Sequence, residues 1–199
     1  MSRITGPKCK LCRRAQTKLF LKGDKCFSDK CVFNMKTNYP GKSTFFSSRL
    51  SNYGIQLREK QKIKCIYGLN EAQMKKLFGI ALKLGGDKGL NMLQLLEMRL
   101  DSIVYMLGIA PSRPSARQMV SHGKIAVNGK KLDIPSYTTK VDDKITVLDA
   151  KYILISASGL KVPTWLKKSS RGGSVMNMPS RDMIDEGIKE NLIIEFYSR

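Results

Sequence analysis

No apolar run in this chain approaches the roughly 20 residues that a membrane-spanning helix requires, so no such span is expected. Acidic residues are scarce. Asp and Glu number 16 against 36 Lys and Arg, a formal net charge of +20. Self-repulsion on that scale is tolerable when a polyanion neutralises it, which points to nucleic acid ahead of an acidic membrane or protein surface. Histidine is almost absent: the one present, His122, falls where a helix is expected to end, which suits a terminal residue near the last carbonyls better than a general base. No GxxxxGK[ST] loop occurs, and Gly85-Gly86-Asp-Lys-Gly89 is too short and lies between helices, so it reads as a turn. The paired carboxylates Asp142 and Asp143 sit in a loop with no apolar pocket nearby in sequence. An enzyme is therefore not expected. Aromatic residues make up only 8%, yet the 42% hydrophobic content suffices for real cores and argues against a disordered cationic tail. The first residues, Met1-Ser-Arg-Ile-Thr-Gly-Pro7, lack the apolar stretch of a secretion signal, so a reducing, cytoplasmic setting is expected.

Cysteines are few, but four of the five fall in the first thirty-one residues as Cys9-Lys-Leu-Cys12 and Cys26-Phe-Ser-Asp-Lys-Cys31. Two close pairs joined by a short spacer supply what a tetrahedral cation needs, two thiolates from each of two turns. The thirteen-residue spacer is somewhat short for the commonest paired layout, and a disulfide framework or a redox pair are the alternatives. In a reducing compartment metal ligation is favoured over disulfides. One structural zinc on Cys9, Cys12, Cys26 and Cys31 is the expectation; four thiolates leave no open position for catalysis, so the ion would act as a folding clip. Lys8, Lys10, Arg13, Arg14, Lys18, Lys22, Lys25 and Lys30 surround these thiols, so a metal would shape a cationic surface. Cys65 stands alone on an expected helix and reads as packing.

The chain is long enough for one large or two small domains, and no internal repeat is found. Ser51 is placed to cap a helix that ends at Gly68, and Asn70 with Gln73 resembles a capping box for a second helix stopped by Gly85-Gly86. Leu90, Leu93, Leu96, Leu100, Ile103, Val104 and Leu107 form one apolar stripe, read as core. Ser112 can cap a short helix with Pro114 in its first turn, Ala116, Met119 and Val120 on its inner face and Gly123 at its end. Ile125-Ala-Val127, Asn128-Gly129 and Lys130-Lys-Leu132 predict a hairpin with a type I′ turn, followed by a strand over Lys144–Leu148. Arg113, Arg117 and Lys124 bracket this helix, Lys130 and Lys131 follow the turn, and Gln118, Ser121 and Asn128 can reach sugars or unpaired base edges. Cations along such a helix–hairpin seam suit folded RNA; a merely solvated charged face is the plain alternative. Further on come the apolar run Tyr152–Ile155, a basic Gly/Ser-containing stretch from Lys161 to Gly173, and a final Leu192-Ile-Ile-Glu-Phe196 read as a terminal strand or docking segment.

The stretch Arg99–Gly108 followed by Ser112–Lys130 resembles the S-four RNA-binding module. Gly6-Pro-Lys-Cys-Lys-Leu-Cys-Arg-Arg14, Lys18–Gly23, Leu50–Lys62, Tyr67-Gly68, Pro163-Thr-Trp-Leu166 and Leu192–Ser198 are similar to the family of bacterial fourth small-subunit ribosomal proteins. The resemblance covers nearly the whole chain. It implies a structural constituent of the small ribosomal subunit that binds its rRNA early and organises a multi-helix junction. It also implies a place near the incoming path of messenger RNA, beside the fifth and twelfth small-subunit proteins, with an influence on translational accuracy. In zinc-bearing members the ligands map onto Cys9, Cys12, Cys26 and Cys31. The module's rRNA face maps onto Arg99, Arg113, Arg117, Gln118, Ser121, His122, Lys124 and Lys130. The N-terminal rRNA face maps onto Arg3, Lys8, Lys10, Arg13, Arg14, Lys18, Lys22, Arg49, Tyr53, Arg58 and Lys62. Two stretches depart from the family pattern: Phe45-Phe46 stands where cations are usual, and the segment between Ile155 and Trp165 is short.

These readings predict an α+β protein: a zinc-clipped basic arm over 1–50, a helical body over 51–97, a helix–helix–hairpin module over 98–157, and a C-terminal segment, 158–199, packed on the helical body. The expected home is the cytoplasmic ribosome, or that of an organelle. An RNA-modifying enzyme borrowing the same module needs a catalytic domain for which the chain has no room. A zinc-finger DNA regulator needs a defined recognition helix and usually dimer symmetry.

Overall fold

The computed structural model describes residues 5–36, 38–41, 50–149, 161–184 and 187–198. In chain order the helices are α1 (Lys8–Ala15), α2 (Val32–Met35), α3 (Asn52–Ile66), α4 (Glu71–Lys83), α5 (Lys88–Glu97), α6 (Leu100–Met106), α7 (Arg113–Ser121) and α8 (Glu190–Tyr197). The strands are β1 (Ile125–Val127), β2 (Lys130–Lys131), β3 (Lys144–Val147), β4 (Leu166–Ser169) and β5 (Gly172–Val175). They form two compact units, Met1–Gly89 with Glu186–Arg199, and Leu90–Asp185.

In the first unit the helix starts follow local chemistry. The Ser51 hydroxyl accepts from the Gly54 N–H at 3.2 Å, and Asn70 with Gln73 makes both halves of a capping box, at 2.8 and 3.3 Å. Ile63, Ile66, Leu69, Met74, Phe78 and Ala81 are buried. The last segment, expected as a terminal strand or a docking segment, is a helix, α8, that docks on α3 and α4. Its three-residue apolar run, Leu192-Ile-Ile194, hides a helical stripe: Ile193 is buried, and Phe196 and Tyr197, three and four residues on, meet α3 and α4. Tyr197 stacks on Phe78 with centroids 4.7 Å apart. Lys60, on α3, is buried with its ammonium 4.2 Å from the Phe196 ring centroid and 2.7 Å from Glu71 Oε1. Burial pulls the Glu71 carboxyl upward, but hydrogen bonds from Lys60, Lys64 and the Tyr197 hydroxyl outweigh it and hold the group down at about 2. The same burial and contact push the Tyr197 phenol well above its ordinary value.

The second unit packs α6 and α7 on a five-stranded antiparallel sheet of order β2-β1-β3-β5-β4. Ile103, Leu107, Ala116, Val120, Ile125, Val127, Ile145, Val147 and the single tryptophan, Trp165, share its core. The Asn128-Gly129 turn has φ of 50° and 79°, as a type I′ hairpin needs. The apolar stripe from Leu90 to Leu107 is cut into α5 and α6 at Met98-Arg99. There Met98 C=O accepts from both the backbone and the hydroxyl of Thr139, and Arg99 bridges Thr138. The Gly/Ser-containing basic stretch is the β4–β5 hairpin. Gly172, at φ +155°, lies so close to the Ile145 carbonyl that any Cβ would collide with it. The expected C-terminal segment is thus divided: 161–184 belongs to the sheet unit because Leu166 and Val175 enter its core, and 187–198 packs against α3. The Tyr152–Ile155 run, Phe45-Phe46 and most of the shortened segment before Trp165 lie outside the described residues.

Candidate nucleic-acid interface

The cysteine pairs converge by local geometry. Cys9 and Cys12 are three residues apart on α1, so they share a helix face. Cys26 closes a 3₁₀ turn, Gly23–Cys26, and Cys31 is the N-cap residue of α2. All four line one small cavity with Lys8, Leu21, Lys22 and Phe33. None is in a disulfide. The Lys22 N–H donates to Cys26 Sγ at 3.4 Å. Burial pushes the Cys12 thiol up, and the other three cysteines add to it against a hydrogen bond from the Leu19 backbone. The sulfurs do not form a closed cage as they stand: among the described residues no group of three or more Cys, His, Asp or Glu side chains is set to hold a metal ion. The donor set, four thiols around one cavity, nonetheless fits a tetrahedral soft-ligand ion.

Around that cavity Lys10, Arg14 and Lys22 are exposed, and Lys8 and Lys18 half-buried. Arg13 and Arg58 are turned to structural use. Arg13 donates to the carbonyls of Asn38 and Tyr39 at 2.8 and 3.2 Å, and Arg58 bonds the Tyr39 hydroxyl at 2.9 Å while lying over its ring. Lys62 is mostly buried between Glu59 and the Gly187 carbonyl. Tyr53 is 51% exposed, tilted against Phe196. Arg3 and Arg49 lie outside the described residues.

In the second unit the expected RNA face separates into an inner and an outer set. Arg99 is only 3% exposed and donates twice to Asp101, at 3.0 and 2.7 Å. Arg117 is also buried, its guanidinium 3.7 Å from the same carboxylate. Arg113 lies over the Tyr105 ring at 4.7 Å and reaches Ser102 and Glu97, both at 3.4 Å. Of the three arginines expected on the RNA face, the structure thus places Arg99 and Arg117 inward against Asp101. Two buried carboxylates, Glu97 and Asp101, need cationic partners, and these arginines supply them. The outer set is Gln118, Ser121, His122 and Lys130, all exposed, with Lys124 half-buried beside Asp149 at 3.4 Å. His122 is the C-cap of α7, its backbone N–H on the Gln118 carbonyl. Sequence reasoning missed the inward role because Arg99 and Arg117 lie eighteen positions apart and nothing in their spacing marks Asp101 as the shared partner. It also left aside Lys144, Lys167, Lys168 and Arg171, all exposed on the sheet or its last hairpin. Asp143 is structural: it accepts from the Asn128 amide and the Lys140 N–H, both at 2.8 Å.

Comparison with known proteins adds two family matches and three relatives. Residues 3–97 match the family described as Ribosomal protein S4/S9 N-terminal domain, and residues 98–145 match the S4 domain. Small ribosomal subunit protein uS4 of Dictyoglomus thermophilum is 51% identical over 206 aligned positions that cover all of both chains. The protein of the same name from Thermoanaerobacter sp. is 48% identical and small ribosomal subunit protein uS4A of Clostridium botulinum 47%, again across all of both chains.

Proposed function

The chain belongs to the uS4 family of small ribosomal subunit proteins, and on that premise we propose that it is a structural, rRNA-binding constituent of the small subunit that fixes an rRNA junction during assembly. Its family is one of ribosomal structural proteins, and its chemistry is binding without turnover. The observation that carries the reading is the end-to-end match at about half identity, with the S4 domain falling on the unit that carries Gln118, Ser121, His122 and Lys130.

Each unit contributes in its own way. In the sheet unit the buried Asp101–Arg99–Arg117 cluster stiffens the α6–α7 corner, so that the outer residues of α7 and the hairpin present a fixed surface. Lys124 and Lys130 meet phosphates there, and Gln118 and Ser121 meet sugars or base edges. In the N-terminal unit Lys8 and Lys22 line the cysteine cavity, and Lys10, Arg14 and Lys18 add cations on the neighbouring α1 and the turn after it. Arg13 and Arg58 hold the Asn38-Tyr39 stretch and so shape that surface from behind.

A zinc ion on Cys9, Cys12, Cys26 and Cys31 would supply a structural cross-link between α1 and the chain around α2. The residues fit it by donor type and by their common cavity, and Lys8 and Lys22 beside it would offset the negative charge of four thiolates. We extend the proposal, on resemblance, to neighbours: the fifth and twelfth small-subunit proteins and incoming messenger RNA, with an effect on translational accuracy. The setting is the bacterial cytoplasmic ribosome or its organellar counterpart.

Competition binding tests the reading. The full chain is expected to prefer structured small-subunit rRNA over duplex DNA of equal length at about 150 mM salt. Equal competition by the DNA would overturn it.

A further inference from the structure

Strand register in the second unit places three lysines together that the hairpin reading leaves unassigned. Residues directly opposite each other in an antiparallel sheet share a face. One row across the sheet is Lys131, Ala126, Thr146, Gly172 and Ser169. Two residues along, on the same face, comes Lys144, Ser174 and Lys167. The row between them, with Val127 and Ile145, turns the other way into the core. The face away from the core therefore carries three lysines and three hydroxyls. Lys131, Lys144, Lys167 and Ser169 are exposed, and Thr146 and Ser174 half-buried, while Ala126 and Gly172 lie buried between them. No acidic side chain occurs in either row. Among the described residues none of the three lysines is ion-paired. At about 4.8 Å per strand, the two rows span roughly 19 Å from β2 to β4. The far end of the Lys131 side chain lies close against Gly123, at the end of α7.

We propose that this sheet face is a second RNA-backbone contact, with Lys131, Lys144 and Lys167 on phosphates and Thr146, Ser169 and Ser174 donating to phosphate or ribose oxygens. It rests on the rRNA-binding reading above and adds a surface on the opposite side of the sheet from the core. Long cationic side chains over short hydroxyl side chains make a low platform that a sugar–phosphate backbone can approach, without the aromatic groups that base stacking would require. The competing reading is that solvent-facing lysines keep an antiparallel sheet soluble and its edge strand β4 unpaired. Under that reading these lysines are interchangeable with any other exposed three.

The full chain is compared with the triple variant Lys131→Gln, Lys144→Gln, Lys167→Gln, and with a charge-matched control, Lys75→Gln, Lys76→Gln, Lys83→Gln, whose sites are exposed on α4. Each is titrated with small-subunit rRNA from about 50 to 300 mM salt, after thermal melts establish that the three fold alike. The proposal expects the slope of log affinity against log salt to flatten by about two to three in the sheet variant relative to the control, as loss of about three phosphate contacts requires. Equal slopes in sheet variant and control, with wild type steeper than or equal to both, overturn the platform and leave the rRNA reading intact. A wild-type chain with no salt-dependent binding overturns both.

Discussion

Arg99 and Arg117 show how far a charge can be from the role its sequence suggests. Both sit in a basic helix–hairpin segment, yet both are buried against one carboxylate, Asp101. A buried pair that loses one member strands the other in low dielectric, at a cost of about 3–5 kcal/mol. Asp101→Ala is thus expected to destabilise the sheet unit by about that much, seen as a lower urea midpoint at unchanged slope and followed through Trp165. Arg117→Glu, which sets a second carboxylate beside Asp101, is expected to unfold the unit and not merely to weaken RNA binding. A normal urea midpoint for both variants would contradict the inward assignment. Glu71 gives a second test. Its folded value near 2 lies below the ordinary 4.5, so its stabilisation is present above about pH 5 and is lost as the pH falls toward 2. Its side chain is 47% exposed, which screens the effect. The stability gap between wild type and Glu71→Gln should therefore shrink between pH 6 and pH 3; a constant gap would show that the Lys60, Lys64 and Tyr197 contacts leave the carboxyl unperturbed.

Elements with punctuation at both ends were legible in the sequence, and those without were not. α7 is announced by Ser112, Pro114 and Gly123, and the β1–β2 hairpin by Asn128-Gly129; both stand where the residues put them. The β4–β5 hairpin was obscure because Lys167-Lys-Ser-Ser-Arg-Gly-Gly173 has no alternation: only Leu166 and Val175 anchor it in the core, and Gly172 and Gly173 are dictated by neighbouring strands and Leu107, which the local sequence does not reveal. The sequence leaves α8 open between a strand and a docking segment because Leu192-Ile-Ile194 is a continuous apolar run with two β-branched residues; contact with α3 decides its period. The convergence of the four thiols on one cavity was legible by spacing, and the metal clip proposed on it has a direct test. Strong chelator is expected to make residues 9–31 cleavable by protease while leaving Trp165 emission, which reports the other unit alone, unchanged. Metal analysis of the purified chain should find about one zinc per protein. An unaltered cleavage pattern after metal removal would eliminate the clip.

At the scale of the whole molecule, composition carried most of the functional information. A charge of +20 on a chain with ample core and a single histidine favours binding to a polyanion. Two units with separate cores each keep exposed cations, and each keeps some of its basic residues for internal use. Net charge could not show that division. The number of phosphates met is consequently smaller than the count of Lys and Arg suggests. About six to ten contacts would still cost roughly a thousand- to a hundred-thousand-fold in rRNA affinity between about 50 and 200 mM salt. The central claim, a protein made to be held inside a ribonucleoprotein particle, is tested most directly by sucrose-gradient sedimentation of cell extract at about 100 mM salt. The chain is expected to travel with the small ribosomal subunit at roughly one copy per particle and to be nearly absent from the top of the gradient. A chain that stays at the top, with small subunits complete without it, would contradict the account.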